Sequence, residues 1–258
     1  MTVAPAMRVA MVRPPVGRVT AILADLRAQP DAASELVDQA HVGETLTLLG
    51  ESGEWAYVQG EDRYFGWVRR QLVRRDTHPT REILVAVHNA PVRREPNSES
   101  ELVGEVGAGV AGFVIDHGWM RCASGWIAVT DTIPSDELPQ RFPTPDDLVA
   151  TAESFLDVPY LWGGTSAHGI DCSGLTQQVY RLNGVGLDRD ADQQALGGRP
   201  VDVARPGDLF FFGAERVTHT AIATGERTFI HAPQSGKSVQ RGELTDAARL
   251  RAIRRYLP

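Results

Sequence analysis

The sequence predicts a multi-domain protein in which two small β-barrels precede an α+β domain. A degenerate repeat fills the first half, and each copy consists of short alternating strands separated by Gly, Asp and Pro turns, which is typical of small barrels. After a proline-rich stretch, a helical pattern is followed by short apolar strands, the order of an α+β fold. We expect an N-terminal segment and the first barrel at 1–78, the second barrel at 79–134, a linker at 135–145 and the last domain at 146–258.

The repeat has an offset of 66 residues over its first part, because residues 26–30 and 34–37 recur as 92–96 and 100–103. A Gly-containing turn and a strand-like run follow in each copy. Each copy then closes on a Gly-Trp pair, Gly66-Trp67 in the first and Gly125-Trp126 in the second. Two copies are too few for a solenoid, so the repeat predicts two separate small domains.

The last domain begins with a helix start, in which Thr144 is the N-cap and Pro145 the first helical residue. A second helix is expected from about Ser173 to Asn183. The expected strands are 208–212, 220–224 and 228–231. The C-terminal segment fits either a last strand or a short helix.

Charge and hydropathy exclude several classes of protein. The net charge of −7 argues against a nucleic-acid partner and against adhesion to acidic polymers or anionic lipid. Arg8, Arg13 and the Pro14-Pro15 pair interrupt every apolar run that could form a secretory leader. We therefore expect a cytoplasmic protein with no membrane partner, while the sequence leaves the oligomeric state open.

Cys172 lies between a Gly-rich loop and the helix that it opens. The partial positive charge at a helix N-terminus stabilises a thiolate and lowers the pKa of the cysteine, which suits a nucleophile. The second cysteine, Cys122, lies in an alternating run and is expected to be a small core residue. Two cysteines are too few to indicate a disulfide framework.

His219 and His231 are the candidates for a general base and its orienting partner. His219 starts one apolar strand and His231 ends the next, and the short turn at 225–227 would bring the two side chains close together. The histidines lack the tight spacing of metal ligands. We therefore expect neither a metal nor another cofactor.

Five segments together resemble the NlpC-type family of papain-like cysteine peptidases, which cut bacterial cell-wall peptides. They are Tyr160-x-Trp162-Gly163-Gly164, Asp171-Cys172-Ser173-Gly174, Arg205-Pro206-Gly207-Asp208-Leu209, His219-Thr220-Ala221-Ile222 and Ile230-His231-Ala232. This resemblance covers about residues 146–258. The first half is similar to bacterial SH3-like domains over roughly 20–75 and 82–134.

The resemblance implies a thiol protease in which Cys172 attacks the scissile carbonyl. His219 would take the thiol proton and return it to the leaving amine, and His231 would orient His219. Tyr160 would help to bind the oxyanion together with the backbone N–H at Cys172, although an ordinary core aromatic is an equal alternative.

The resemblance also implies a substrate groove beside the nucleophile. Trp162, Asp171 and Ser173 occupy positions that line this groove in family members. Asp190 follows Cys172 by 18 residues and would contact the substrate, although a solvated loop residue is a reasonable alternative. Ala191 departs from the serine that the family commonly has there.

Two SH3-like domains before this catalytic domain resemble a subgroup of γ-D-glutamyl-L-diamino acid endopeptidases. In that subgroup the partner is a peptidoglycan-derived peptide, L-Ala-γ-D-Glu-diamino acid, and the role is the recycling of wall fragments. The first barrel blocks longer stems and helps to recognise the free amine of L-Ala. Tyr64 matches its recognition motif, whereas the second barrel has Ala123 instead.

An ammonium needs a negative partner, and Asp190 is the first candidate. Glu35 is a second candidate, but Glu101 repeats it in the other barrel, which favours a structural role. Asp38 and Glu44 are unplaced alternatives.

Three other functions are compatible with the sequence. One is a wall-binding hydrolase that acts on intact polymer, and another is a wall-targeting protein with an inactive enzyme domain. A papain-like amidase acting on a non-wall amide is the third.

Overall fold

The computed structural model describes residues 14–75, 83–85, 87, 90–106, 111–112, 115–122, 124–134, 143–245 and 249–258. At 83–84, 111–112, 115–116 and 134 it describes the backbone alone. Several predicted features lie outside the described residues: the N-terminal 1–13, the second turn at Ala108-Gly109, Ala123, and 135–142 of the linker.

The first unit, residues 16–75, is an antiparallel sheet of seven strands. They are β1 (Val16–Val19), β2 (Leu23–Arg27), β3 (Leu36–His41), β4 (Thr45–Ser52), β5 (Trp55–Gln59), β6 (Phe65–Arg69) and β7 (Val73–Arg75), and a 3-10 turn at Arg70–Leu72 precedes β7. Their order in the sheet is β3-β2-β6-β5-β4-β1-β7. Alternate side chains face inward, so Val19, Leu26, Leu46, Val58 and Val68 form a buried core.

The second unit, residues 83–134, consists of two smaller antiparallel sheets. Its strands are β8 (Ile83–Val85), β9 (Ala90–Arg93), β10 (Leu102–Val106), β11 (Ala111–Gly112), β12 (Ile115–Asp116), β13 (Trp119–Cys122), β14 (Gly125–Ala128) and β15 (Thr132–Pro134), with a 3-10 turn at Val129–Asp131. The sheet orders are β10-β9-β14-β13-β12 and β11-β8-β15. Cys122 is buried with Met120 and Ile127, the core position predicted for it.

The sequence repeat is also a structural repeat. The Arg27 Nη1 donates to the carbonyl of Ser34 at 3.0 Å, and the Arg93 Nη1 donates to the carbonyl of Ser100 at 2.7 Å. In both units the arginine pairs across strands with the tryptophan of the closing Gly-Trp pair. The two units therefore share the turn and the strand pairing that the repeated residues build.

The C-terminal domain, residues 143–258, combines helices with an antiparallel sheet of six strands. The helices are α1 (Pro145–Ser154), α2 (Cys172–Leu182) and the short α3 (Ala191–Gln194). The strands are β16 (Thr165–Ser166), β17 (Gly169–Ile170), β18 (Arg199–Pro200), β19 (Leu209–Phe212), β20 (His219–Ala223), β21 (Thr228–His231), β22 (Gln240–Glu243) and β23 (Leu250–Arg255). The β16 and β17 strands pair with each other, and the six-stranded order is β18-β23-β19-β20-β21-β22.

The predicted starts of the helices are confirmed in detail. The Thr144 hydroxyl accepts the N–H of Asp147 at 3.2 Å, and the Asp147 carboxylate accepts the N–H of Thr144 at 2.9 Å, which makes a capping box. The α2 helix runs from Cys172 to Leu182, within one residue of its predicted limits. The C-terminal segment is the strand β23 and not a helix. None of the helices in the described ranges is long and apolar enough to cross a membrane.

The first unit packs against the C-terminal domain through polar groups. The Thr165 N–H donates to the Gln39 amide oxygen at 3.1 Å, and the His41 Nε2 lies 3.1 Å from the Thr165 hydroxyl. Gly163 has a φ of 73°, and a Cβ there would lie 2.3 Å from the carbonyl oxygen of Leu36. Glycine at 163 therefore permits the backbones of the two domains to approach beside the nucleophile loop.

Candidate active site

Cys172 is the first residue of α2, and Asp171 caps that helix. The Asp171 Oδ1 accepts the N–H of Gly174 at 2.7 Å, and its Oδ2 accepts the N–H of Gly163 at 2.8 Å. One carboxylate thus joins the start of the helix to the Gly-rich loop before it. The Cys172 residue is only 8% exposed, so the thiol lies at the helix N-terminus but is nearly buried.

The guanidinium of Arg189 fixes this capping carboxylate from the other side. Its Nη1 and Nη2 donate to the two oxygens of Asp171 at 3.1 and 2.8 Å, and its Nη1 also donates to the Ser173 hydroxyl at 3.0 Å. Its Nε donates to Oδ1 of Asp38, in the first unit, at 2.8 Å. The polar atoms of Asp171 and Ser173 are therefore engaged by protein groups, beside the groove in which the sequence placed them.

Arg189 bridges two buried carboxylates and remains charged. Burial opposes the charge, but Asp171 and Asp38 outweigh it and raise the pKa of the guanidinium. Burial raises the pKa of the Asp38 carboxyl, whereas the charge of Arg189 lowers it. The Arg189 Nε lies 2.8 Å from the Asp38 Oδ1, which is the geometry of an ion pair.

The two candidate histidines are brought together as predicted. The His219 Nε2 lies 2.8 Å from the His231 Nδ1, and the rings meet edge to face. Burial, reinforced by His231, lowers the pKa of His219 to about 4. Burial, reinforced by the ammonium of Lys237, lowers the pKa of His231 to about 4. Both imidazoles are therefore neutral near pH 7, the form in which a histidine can accept a proton.

The expected low pKa of the nucleophile is wrong. Burial and, to a smaller extent, the negative charge of Asp171 raise the pKa of the Cys172 thiol to about 11. Hydrogen bonding from the backbone of Thr220, the charge of Arg189 and the backbone of Ser173 act in the opposite direction but are smaller. The helix N-terminus is outweighed because the sulfur is buried next to a carboxylate. The resting pair is thus a thiol beside a neutral imidazole.

Tyr160 lies close to the thiol. Its pKa is raised first by burial and then by the nearby Cys172 and Asp171 side chains. The phenol therefore keeps its proton at neutral pH and can donate a hydrogen bond. Its backbone is held in a bridge to Ile170, two residues before the nucleophile.

Two cavities meet at Cys172 and Tyr160. The interdomain cavity, of about 340 Å³, lies between the first unit and the C-terminal domain. It is lined by Glu35, Val37, Tyr64, Tyr160, Trp162, Gly163, Asp171, Cys172, Ser173, Asp190, Ala191, Asp192, Arg216, Val217 and Thr218. The sheet cavity, of about 480 Å³, lies on the other side and includes His219 and His231.

The first unit contributes side chains directly to the interdomain cavity. The Tyr64 hydroxyl donates to Asp190 Oδ2 at 3.0 Å, and the Trp162 indole N–H donates to Glu35 Oε1 at 2.8 Å. Burial raises the pKa of Asp190, whereas the hydrogen bond from Tyr64 and the charge of Arg189 lower it. All nine predicted site residues therefore lie in the walls of the two adjoining cavities: Tyr64, Tyr160, Trp162, Asp171, Cys172, Ser173, Asp190, His219 and His231.

Of three further groups at this site, the sequence misjudged one, left one unplaced and missed one. Glu35 was expected to be structural because Glu101 repeats it, yet Glu35 lines the interdomain cavity. Asp38 was left unplaced and Arg189 was not singled out, although their ion pair crosses the domain boundary. The one available signal was the position of Arg189 next to Asp190, in a turn otherwise rich in acids.

A thiol at a helix N-terminus, a neutral histidine pair and a phenol donor around one cleft define a cysteine peptidase. The chain belongs to the NlpC/P60 family, and the sequence model of that family matches residues 157–254. Residues 26–71 match the domain described as "Bacterial dipeptidyl-peptidase Sh3 domain".

Relatives resemble most of the chain. A protein of Bacillus cereus named gamma-D-glutamyl-L-lysine dipeptidyl-peptidase is 30% identical, over 88% of this chain and 77% of its own length. Dipeptidyl-peptidase 6 of Lysinibacillus sphaericus is 30% identical, over 88% of this chain and 91% of its own length. A crystal structure of an NlpC/P60 family protein from Bacillus cereus has the same fold, with a TM-score of 0.84 and 24% identity, covering 94% of this chain and 100% of that one.

Proposed function

We propose that this cysteine peptidase hydrolyses the γ-D-glutamyl-L-diamino acid bond of free wall-derived peptides that begin with L-Ala. The observation that carries the proposal is the interdomain cavity, where Glu35 and Tyr64 of the first unit meet Asp190 beside Cys172. A carboxylate-rich cavity next to a nucleophile suits a short substrate with a free ammonium. Two relatives, of Bacillus subtilis and Bacillus cereus, are both named gamma-D-glutamyl-L-lysine dipeptidyl-peptidase, and these names support a γ-D-glutamyl bond as the target here.

The chemistry proceeds through a thioester. Because the Nε2 of His219 is paired with Nδ1 of His231, its Nδ1 is the atom left to accept the Cys172 proton. The sulfur attacks the γ-carbonyl carbon, and the oxyanion accepts hydrogen bonds from Tyr160 and the backbone N–H of Cys172. His219 then protonates the leaving amine, and a water molecule hydrolyses the thioester by the reverse transfers. His231 keeps His219 in the tautomer that these proton transfers require, with the hydrogen on Nε2.

Recognition begins at the peptide N-terminus. The ammonium of L-Ala would bind between Asp190 and Glu35, the first of which is oriented by the Tyr64 hydroxyl. Arg216 lines the same cavity and would meet the α-carboxylate that a γ-linked glutamate keeps free. A stem still joined to sugar has an amide in place of this ammonium and continues into the wall of the first unit. This selection for free peptides suits the recycling of wall fragments.

The domain organisation is part of the proposal. We infer that the second unit, like the first, is an SH3-like barrel and that the C-terminal domain is a papain-like α+β domain. The boundaries expected from the sequence, 1–78, 79–134 and 146–258, are compatible with the strands and helices described above. The repeated turn hydrogen bonds of the two units support the first part.

The test compares peptide with polymer. The protein is incubated with L-Ala-γ-D-Glu-diaminopimelate and, separately, with purified sacculi, and released products are quantified. We expect cleavage of the tripeptide alone, and Cys172→Ala should abolish it while Cys122→Ala, in the core of the second unit, retains it. Release of fragments from sacculi without cleavage of the tripeptide would instead favour a hydrolase of intact wall.

A further inference from the structure

The sheet cavity adjoins Cys172 on the side of the two histidines. It is lined by Tyr160, Cys172, Phe212, Gly213, Thr218, His219, Phe229, His231, Pro233, Gln234, Glu243, Leu244, Thr245 and Arg249. The cavity thus shares the nucleophile with the interdomain cavity. His219 and His231 line the sheet cavity and do not line the interdomain cavity.

The position of the histidines sets the direction of the substrate. The group that takes the thiol proton must later protonate the leaving nitrogen, so the leaving half of the substrate has to lie on the imidazole side of the sulfur. The acyl half then occupies the interdomain cavity, where the carboxylates are. The sheet cavity is left for the amino acid that departs.

The floor of the sheet cavity is aromatic. The rings of Phe212 and Phe229 lie 5.6 Å apart between centroids. Phe212 also packs against His219 at 5.9 Å, and Phe229 against His231 at 5.0 Å. An apolar surface therefore begins at the catalytic imidazoles and suits the methylene chain of a leaving side chain.

Two oppositely charged residues, Glu243 and Arg249, also line the sheet cavity. Glu243 ends β22 beside β21, and Arg249 immediately precedes β23 beside β19, so they flank the histidine strands from opposite sides. His231 pairs with Gln240 and Thr228 with Glu243, which puts Glu243 ~10 Å along the sheet from the histidine end. Both side chains are exposed, and within the described ranges neither forms an ion pair.

We propose that the sheet cavity binds the leaving diamino acid, and that Glu243 and Arg249 select one whose side chain ends in both an ammonium and a carboxylate. The proposal rests on the proposed function and specifies its substrate as a diamino dicarboxylic acid, such as diaminopimelate, in preference to lysine. A lysine side chain offers an ammonium to Glu243 but brings a second positive charge towards Arg249. A distal carboxylate gives Arg249 a partner with which it can form two hydrogen bonds.

Three tripeptides test the selection: L-Ala-γ-D-Glu joined to meso-diaminopimelate, to L-lysine, and to diaminopimelate with its distal carboxylate converted to an amide. We expect kcat/KM of the wild-type protein to be about tenfold higher for the first than for the other two, because only the first satisfies the arginine. Arg249→Gln should lower the first value about tenfold and should not lower the other two. Arg251→Gln, two residues further along the chain in β23 and outside the cavity, is the matched control and should change none.

The outcomes separate this proposal from the proposed function. Equal wild-type values for diaminopimelate and lysine substrates would overturn the selection. An equal loss on all three substrates in Arg249→Gln would show that the arginine does not bind the distal carboxylate, and would overturn it too. Absence of Cys172-dependent cleavage of all three would contradict the proposed function itself. Glu243→Gln should weaken all three alike, since each keeps the distal ammonium.

Discussion

The first and second units repeat one turn but differ in what surrounds it. Glu35 of the first unit accepts the indole N–H of Trp162 in the interdomain cavity. Its counterpart Glu101 forms an ion pair with Arg94, and both of those side chains are more than 60% exposed. Asp38, which binds Arg189, corresponds at the same offset to Gly104. The two units thus share a backbone framework. Glu35 and Asp38 of the first unit connect that unit to the catalytic domain.

The largest effect is expected from the buried ion pair between Asp38 of the first unit and Arg189. Asp38→Ala leaves Arg189 with one carboxylate in place of two, and breaking a buried pair costs about 3–5 kcal/mol of unfolding free energy. Urea denaturation measures this loss. The control is Asp25→Ala, whose partly exposed carboxylate pairs with Arg27 and should cost about 1 kcal/mol or less. Equal losses in the two variants would contradict the assigned role of the interdomain pair.

The pH profile separates recognition by the first unit from chemistry in the C-terminal domain. Because the pKa of His219 is about 4, kcat/KM should fall tenfold per pH unit only below about pH 4. Tyr64→Phe should leave this acid limb in place. An acid limb near pH 6.5, the ordinary value for histidine, would show that the imidazole is not buried as described.

The same histidines make stability depend on pH. The pKa of each is depressed on folding, so the unfolded chain binds more protons between about pH 6.5 and pH 4. Their contribution to stability is present above pH 6.5 and is lost as the pH falls towards 4. Urea titrations over this window should show a decline in the wild type that is smaller in His231→Asn. If the loss of stability with falling pH were the same in His231→Asn as in the wild type, it would not come from these histidines.

A smaller effect is expected at the hydrogen bond between Tyr64 and Asp190. Tyr64→Phe removes the donor that orients this carboxylate, and a bond to a charged group is worth about 1.5 kcal/mol or more, which corresponds to about tenfold. The loss should appear as a higher KM for the free tripeptide with kcat unchanged. Tyr57→Phe, on the neighbouring strand β5, removes a hydroxyl outside the cavity and should have no effect. A fall in kcat alone would argue against a binding role.

The smallest effects test the repeated glutamates directly. Glu35→Gln should lower kcat/KM for the tripeptide a few-fold, roughly 1 kcal/mol, because the cavity loses one negative charge. Glu101→Gln removes the equivalent charge from an exposed ion pair, so activity should be unchanged and stability altered by less than about 1 kcal/mol. Equal activity losses would show that position in the repeat, and not contact with the cavity, determines the effect.

The sequence predicted those features that depend on residues close together in the chain. The cap at Thr144, the opening of a helix at Cys172 and the strand ends at His219 and His231 depend on neighbouring residues, and the structure agrees with each. The contact between Asp38 and Arg189 joins residues 151 positions apart, so no pattern in the sequence could indicate it.

Burial accounts for the remaining difference between sequence and structure. The helix N-terminus correctly marked Cys172 as special, but the pKa depends on how deeply the sulfur is buried and on the charge of Asp171. Glu35 was misjudged for a similar reason, because its resemblance to Glu101 carries no information about the surface that each unit presents to the catalytic domain.

The central claim is that the first unit makes this peptidase select peptides with a free N-terminus. The direct measurement is the ratio of kcat/KM for L-Ala-γ-D-Glu-diaminopimelate to that for its N-acetyl form, in wild type and in Asp190→Asn. We predict a wild-type ratio of about a hundred, since losing an ion pair in a partly buried site costs about 2–3 kcal/mol, and a much smaller ratio in the variant. A wild-type ratio near one would contradict the account.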